Sequence, residues 1–309
     1  MSWLAKTRRG MADRLSGDGV NRLLLWLPYA WLLLFFLAPF GIVLKISLSE
    51  PVFAVPPYLP IFDFAAESGE WFLATLDNYR FLLTDKLYLL TYWSSIKIAA
   101  FSTLLVLLVG YPMAYAITRA PKERQPLLLM LVIIPFWTSF LLRVYALMGL
   151  MNTQGVINKL LMGLGIIDAP IQMMYTPFSV YVGIVYGYLP FMILPLYASL
   201  EKLDTSLLDA AADLGAGPIR RFIDVTLPLS MPGIIAGCML VFIPAMGEFV
   251  IPSILGGSES LMIGRVLYDE FLINSDWTVS SAIAVVLLLL LLGPIAVLRH
   301  YQDRQADTA

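Results

Sequence analysis

The sequence predicts an all-α membrane protein that crosses the bilayer six times. Of its 309 residues, 59% are hydrophobic and only 14% charged, with a mean hydropathy of +0.80. That leaves too little charge to coat a soluble domain of this length. Six stretches, near 23–46, 94–118, 127–150, 177–200, 233–255 and 278–298, approach or exceed the roughly 20 apolar residues that a spanning helix needs. All six far exceed the roughly 10 residues of a barrel strand, so no span needs to be β.

Each element follows from local composition. Residues 1–22 are polar and basic. The apolar run after them, Leu23–Leu44, is longer than a signal-peptide core and lacks a small-x-small cleavage site, so it reads as an uncleaved first span within a transmembrane domain 23–298. A long first outside loop, about 47–93, opens with Pro51, Pro56, Pro57 and Pro60 and closes in a short helix over Asp77–Leu90. It is too small to stand as an independent domain. The third and fifth spans carry charges. In the fifth, Pro244 and Pro252 remove helical hydrogen bonds around Gly247, which predicts a kinked or interrupted helix. Lys97 lies near a span end, from which a lysine can snorkel. Residues 299–309 form a polar tail.

Orientation follows from the basic residues. With both termini in the cytoplasm, the inside segments hold thirteen Lys and Arg, from Lys6 and Arg8 through Arg119, Lys122 and Arg220 to Arg304. The outside loops hold five: Lys45, Arg80, Lys86, Lys159 and Arg265. The positive-inside rule therefore places both termini in the cytoplasm. The same outside loops carry eleven acids, among them Glu50, Asp63, Glu67, Glu70, Asp85, Asp269, Glu270 and Asp276. These either solvate exposed loops or attract a cationic solute or its carrier.

Several chemistries are excluded. The chain has one cysteine, Cys238, in an apolar stretch, and one histidine, His300, so neither an internal disulfide nor a Cys/His metal cluster is expected. No residue is assigned a catalytic or cofactor-binding role. There is no G-x-x-x-x-G-K-[ST] loop to cradle ATP phosphates.

The segment 204–228 reads DTSLLDAAADLGAGPIRRFIDVTLP, two short helices joined by a tight turn. Asp204 or Thr205 can cap the first helix, and Leu207, Leu208, Ala211 and Leu214 form its apolar face. Gly215 and Gly217 can end it in a left-handed conformation, and Pro218 suits the first turn of the second. On this physics alone the hairpin either packs under the bundle or docks on a partner. The spacing of Asp209-Ala210-Ala211, Gly215, Val225, Leu227 and Pro228 resembles the EAA loop of ABC-importer permeases, with Asp209 in place of the usual Glu and Val225 in place of Ile. The resemblance implies a type I importer permease fold, with a coupling helix seated on a separate ATP-binding cassette ATPase. ATP and Mg would then belong to that ATPase and no cofactor to this chain.

Further blocks resemble the polyamine (putrescine and spermidine) branch of these permeases. They are Leu27-Pro28-Tyr29 with Ala38-Pro39-Phe40, Trp137-Thr138-Ser139-Phe140 with Arg143-Val144-Tyr145, Tyr186 to Met192, Gly247 to Pro252, and Met262 to Val266. This implies a bacterial inner-membrane assembly with a second related permease, two ATPases and a periplasmic polyamine-binding protein, and no nucleic acid. Neighbouring families with an EAA loop carry other small solutes, such as amino-acid derivatives or iron complexes. A proton-coupled carrier or a membrane enzyme is a further, less favoured reading.

Ionisable groups inside spans are costly and usually face the bundle interior. Glu248 is the clearest case: it pairs with a cationic solute, forms a structural ion pair, for which Arg143 is a candidate partner, or lies near the outer interface, where Arg143 could equally be an anchor. Trp137, Tyr145, Tyr186 and Tyr188 can offer ring faces to an ammonium group or belong to packing and interfacial belts.

Overall fold

A computed structural model describes residues 26–61 and 73–306 of the chain. The expected N-terminal segment 1–22 and the loop acids Asp63, Glu67 and Glu70 lie outside the described residues. In chain order the helices are α1 (Trp26–Ser47), α2 (Asp77–Thr84), α3 (Lys86–Arg119), α4 (Gln125–Ile133), α5 (Phe140–Met151), α6 (Val156–Gly163) and α7 (Pro177–Glu201). They continue with α8 (Thr205–Asp213), α9 (Pro218–Leu229), α10 (Met231–Met246), α11 (Val250–Ile254), α12 (Ile263–Leu272) and α13 (Trp277–Ala306). Five helical stretches are long and apolar enough to cross a membrane, and the pair α9 and α10, bent by 63°, makes up to six.

The boundaries depart from expectation in four places. The short outer helix stops at Thr84, where the Asp85 carboxylate accepts the Leu87 N–H at 2.8 Å and starts α3. The second span thus begins at Lys86 rather than near 94, and Lys97 lies well inside it on an exposed face. The third span is not one helix: α4 tightens into a 3-10 turn over Ile134–Trp137, Thr138 is extended, and α5 starts afresh at Phe140. Pro135 lacks the N–H that a continuing helix would need. The fifth is interrupted, as its prolines predict, with α10 ending at Met246 and α11 resuming at Val250. The last helix runs on to Ala306, through most of the segment read as a tail.

The chain divides into two compact units, 1–79 with 276–285 and 80–275 with 286–309. In the first, the Asn78 amide donates to the carbonyls of Ser47 and Ser49 at 3.0 and 2.8 Å. Asp276 caps the start of α13, accepting from the Val279 N–H at 3.0 Å. No residue of α1's most apolar stretch is buried. An apolar helix so exposed requires apolar surroundings.

The second unit is built on α3, α7 and α10, which pack on one another around two apolar clusters. One gathers Ile98, Val144, Ile184, Met246, Ile251 and Leu255, and the other Val106, Ala114, Met192, Leu196 and Val241. Without a hydrophobic drive between helices in lipid, close approach over small residues supplies the packing. At Gly233 an added Cβ would meet the Ser199 Cβ at 2.6 Å and the Pro195 carbonyl at 2.8 Å. Gly233→Val is therefore expected to cost about 1–3 kcal/mol of stability, read as a lowered melting temperature of the detergent-purified protein.

Candidate translocation cavity and coupling surface

The break after α10 builds the membrane site. Pro244 withdraws a backbone donor from the last turns and the chain swings out through Gly247, Glu248 and Phe249 before α11. Glu248, only 6% exposed, turns its carboxylate back on that break. One oxygen accepts the N–H groups of Val250 and Ile251 at 2.9 and 3.3 Å, and the other accepts the Tyr188 hydroxyl. Tyr188 lies midway along α7. The carboxylate is thus held by three donors inside a cavity of about 400 Å³, lined also by Phe136, Phe140, Arg143, Gly187, Phe191, Pro244 and Phe249.

Arg143 of α5 enters the same cavity and is 8% exposed. The structural ion pair between Arg143 and Glu248 is not formed: the ion pairs among the described residues are Lys122–Glu201 and Arg265–Asp269. The guanidinium lies instead over the Phe136 ring, 4.3 Å from its centroid, and 5.5 Å from that of Phe140.

Of the four aromatic candidates, only Tyr188 joins Glu248. Tyr186 lines a separate apolar cavity of about 460 Å³ with Leu128, Val132 and Phe136. Residues two apart on a helix point to different sides, which separates the pair. Trp137 and Tyr145 are exposed and line neither cavity. The rings that do line the site, Phe136, Phe140, Phe191 and Phe249, were not singled out from the sequence. Phe191 was within reach, because the Tyr188–Phe191 spacing places both rings on one helix face.

The second candidate surface is the hairpin of α8 and α9. Asp204 caps α8, accepting the Ser206 N–H at 2.9 Å, and that backbone hydrogen bond holds its carboxyl below the ordinary range. Gly215 ends the helix at φ +82°, with its N–H bonded to the Ala212 carbonyl and the Ala216 N–H to that of Ala211. This is a Schellman closure that favours glycine at the left-handed position. Gly217 is not left-handed: at φ −69° it is the extended cap before Pro218. The expected apolar face is mostly open as well. Leu208 is buried, but Leu207 is half exposed and Leu214, beyond the last turn, is 89% exposed.

Asp209, Ala210, Gly215 and Pro228 are exposed, while Ala211, Val225 and Leu227 are half-buried. Asp209 lines a cavity of about 340 Å³ with Tyr115, Arg119, Arg221 and Phe222. Phe222 meets the rings of Tyr111 and Tyr115 edge-on at 5.7 and 5.8 Å. It ties the hairpin to α3, so a displacement of the hairpin bears directly on a spanning helix.

Several outer-loop acids have local partners, which favours the plainer view of their charge. Asp85 and Asp276 cap helices, and Glu270 accepts from Tyr88 and Asn274.

Residues 107–306 match the family described as binding-protein-dependent transport system inner membrane component. The chain is 41% identical to the spermidine/putrescine transport system permease protein PotB of Haemophilus influenzae over 266 residues, 85% of this chain and 87% of that protein. It is 48% identical to PotB of Escherichia coli over 213 residues, 69% of this chain and 77% of that protein. In fold it resembles a chain of a bacterial ABC transporter involved in the import of the acidic polysaccharide alginate. The TM-score is 0.66 at 16% identity, over 95% of this chain and 98% of the other. The chain belongs to the family of binding-protein-dependent transport system inner membrane components.

Proposed function

We propose that this chain is a permease subunit of an ATP-driven importer that carries polyamines, putrescine or spermidine, into the cytoplasm. The observation that carries this reading is the buried Glu248 carboxylate, set among aromatic rings at a break in a spanning helix. Non-helical backbone at membrane depth is tolerated where it lines a cavity or is buried in protein. A carboxylate beside ring faces is the chemistry that suits alkylammonium groups. The similarity to two spermidine/putrescine permeases supports the same substrate class, whereas the alginate transporter shares only the fold.

In this reading the chain conducts and does not hydrolyse. A separate ATPase, with ATP and Mg, seats on α8 and α9 through Asp209, Ala210, Ala211 and Gly215. Its closure moves the spanning helices between inward-open and outward-open states. A second related permease completes the path, a periplasmic polyamine-binding protein delivers the substrate, and both termini lie in the cytoplasm.

Purification from native membranes with partners retained tests the substrate class. Mass spectrometry of the ligand released from the co-purified binding protein is expected to find putrescine or spermidine. An amino-acid derivative or an iron complex would transfer the chain to a neighbouring branch of the family.

A further inference from the structure

Arg143 is out of place in a passage for cations. It is buried, and its Nε and Nη1 have no hydrogen-bond partner. A buried guanidinium with idle donors is costly, and a carboxylate that could offset the cost lines the same cavity. Yet Glu248 is already committed to Tyr188 and two backbone amides. What holds the guanidinium is the face of Phe136, at 4.3 Å, with Phe140 beside it. Such contacts are weaker than a buried hydrogen-bonded ion pair and are open to exchange for another cation.

Resting on the polyamine reading above, we propose that the Phe136–Phe140 face is a second cation subsite of the cavity. Arg143 is its tethered occupant, displaced when one ammonium group of a polyamine takes the ring face and another pairs with Glu248. The cavity, at about 400 Å³, falls within the size range of small-ligand sites and has room for a linear alkyl diamine. A diamine gains both the carboxylate and the rings, which offsets the displacement of Arg143. A monoamine gains only the carboxylate and remains beside an undisplaced guanidinium that repels it. The tethered cation therefore selects for substrates with two charges. It also returns the empty cavity to neutrality, so that the departing substrate is not retained.

The test is equilibrium binding of labelled putrescine to the complete permease–ATPase complex in nanodiscs, without the binding protein and with n-butylamine as competitor. Arg143→Gln is expected to tighten putrescine binding about tenfold and to let n-butylamine compete about tenfold better, from loss of the competing and repelling charge. Arg143→Lys, which keeps a tethered cation, is expected to stay near wild type in its preference for the diamine. Glu248→Gln is expected to lose putrescine binding. If Glu248→Gln loses binding while Arg143→Gln leaves affinity and selectivity unchanged, Arg143 is only structural and the proposal falls, with the import reading intact. Failure of both Arg143 variants to assemble would overturn it in the same way. Unaltered binding in Glu248→Gln would remove the carboxylate from the site and overturn the proposal with the import reading intact, whereas no binding by the wild-type complex at millimolar putrescine would overturn both readings.

Discussion

Glu248→Gln is expected to reduce ATP-driven putrescine uptake by about tenfold to a hundredfold while leaving the protein inserted and assembled. Hydrogen bonds to a charged group contribute roughly 1.5–3 kcal/mol, and that is the difference an ammonium group meets when the carboxylate becomes an amide. The substitution keeps shape and one acceptor oxygen, which can stay on the amides of Val250 and Ile251, while the new NH2 donates to the Tyr188 hydroxyl oxygen in place of the bond that hydroxyl donated. The α10–α11 break is thereby preserved. Initial uptake rates in proteoliposomes, normalised to assembled complex, give the comparison. Wild-type uptake in this variant would remove Glu248 from the path.

The second large effect is expected at Gly215. Gly215→Asp should suppress ATP hydrolysis coupled to transport by about thirtyfold, the scale of a lost interface hot spot of about 2 kcal/mol. No heavy atom apart from its chain neighbours lies within 4 Å of a Cβ built at Gly215, so the chain itself has room for the side chain. Short polar residues such as Asn and Asp visit φ > 0 more readily than most, so α8 should persist. Loss of coupling would then report a docked partner rather than a broken helix. ATPase activity stimulated by the substrate-loaded binding protein is the readout, with circular dichroism to confirm helix content. Full stimulation in this variant would contradict docking through the turn.

Much of this architecture is written in local patterns. The apolar runs of α1, α7 and α13 exceed what a soluble helix needs, and hydropathy locates them within a few residues. The Asp204 cap, the left-handed Gly215 and Pro218 at a helix start each follow from one residue's own conformational preference. The break around Glu248 was legible for the same reason, since proline and glycine act on the backbone where they stand.

What sequence spacing could not supply is three-dimensional phase across a break. The interruption at 134–139 places Phe136 against the side chain of Arg143 through a 3-10 turn, and helical periodicity through 127–150 has no means of expressing that. Arg143 and Glu248 look like partners because opposite charges in a membrane invite pairing. The amides freed at the start of α11 claim the carboxylate first. Tyr186 and Tyr188 look equivalent in the sequence until the helix turns them to different cavities. Gly217 illustrates the reverse error: glycine permits a left-handed turn, but the following proline favours extended backbone.

Family membership leaves little room for a membrane enzyme or a proton-coupled carrier. What distinguishes the proposed importer from those alternatives is the coupling of polyamine movement to ATP. Uptake of labelled putrescine and spermidine into proteoliposomes holding the complete complex and its binding protein tests it most directly, with either ATP or an imposed proton gradient as the energy source. Accumulation is expected to require ATP in the compartment facing α8 and α9, and to be competed by unlabelled polyamine but not by amino acids. Accumulation driven by the proton gradient alone, or ATP-driven uptake blocked by amino acids and indifferent to polyamines, would contradict it.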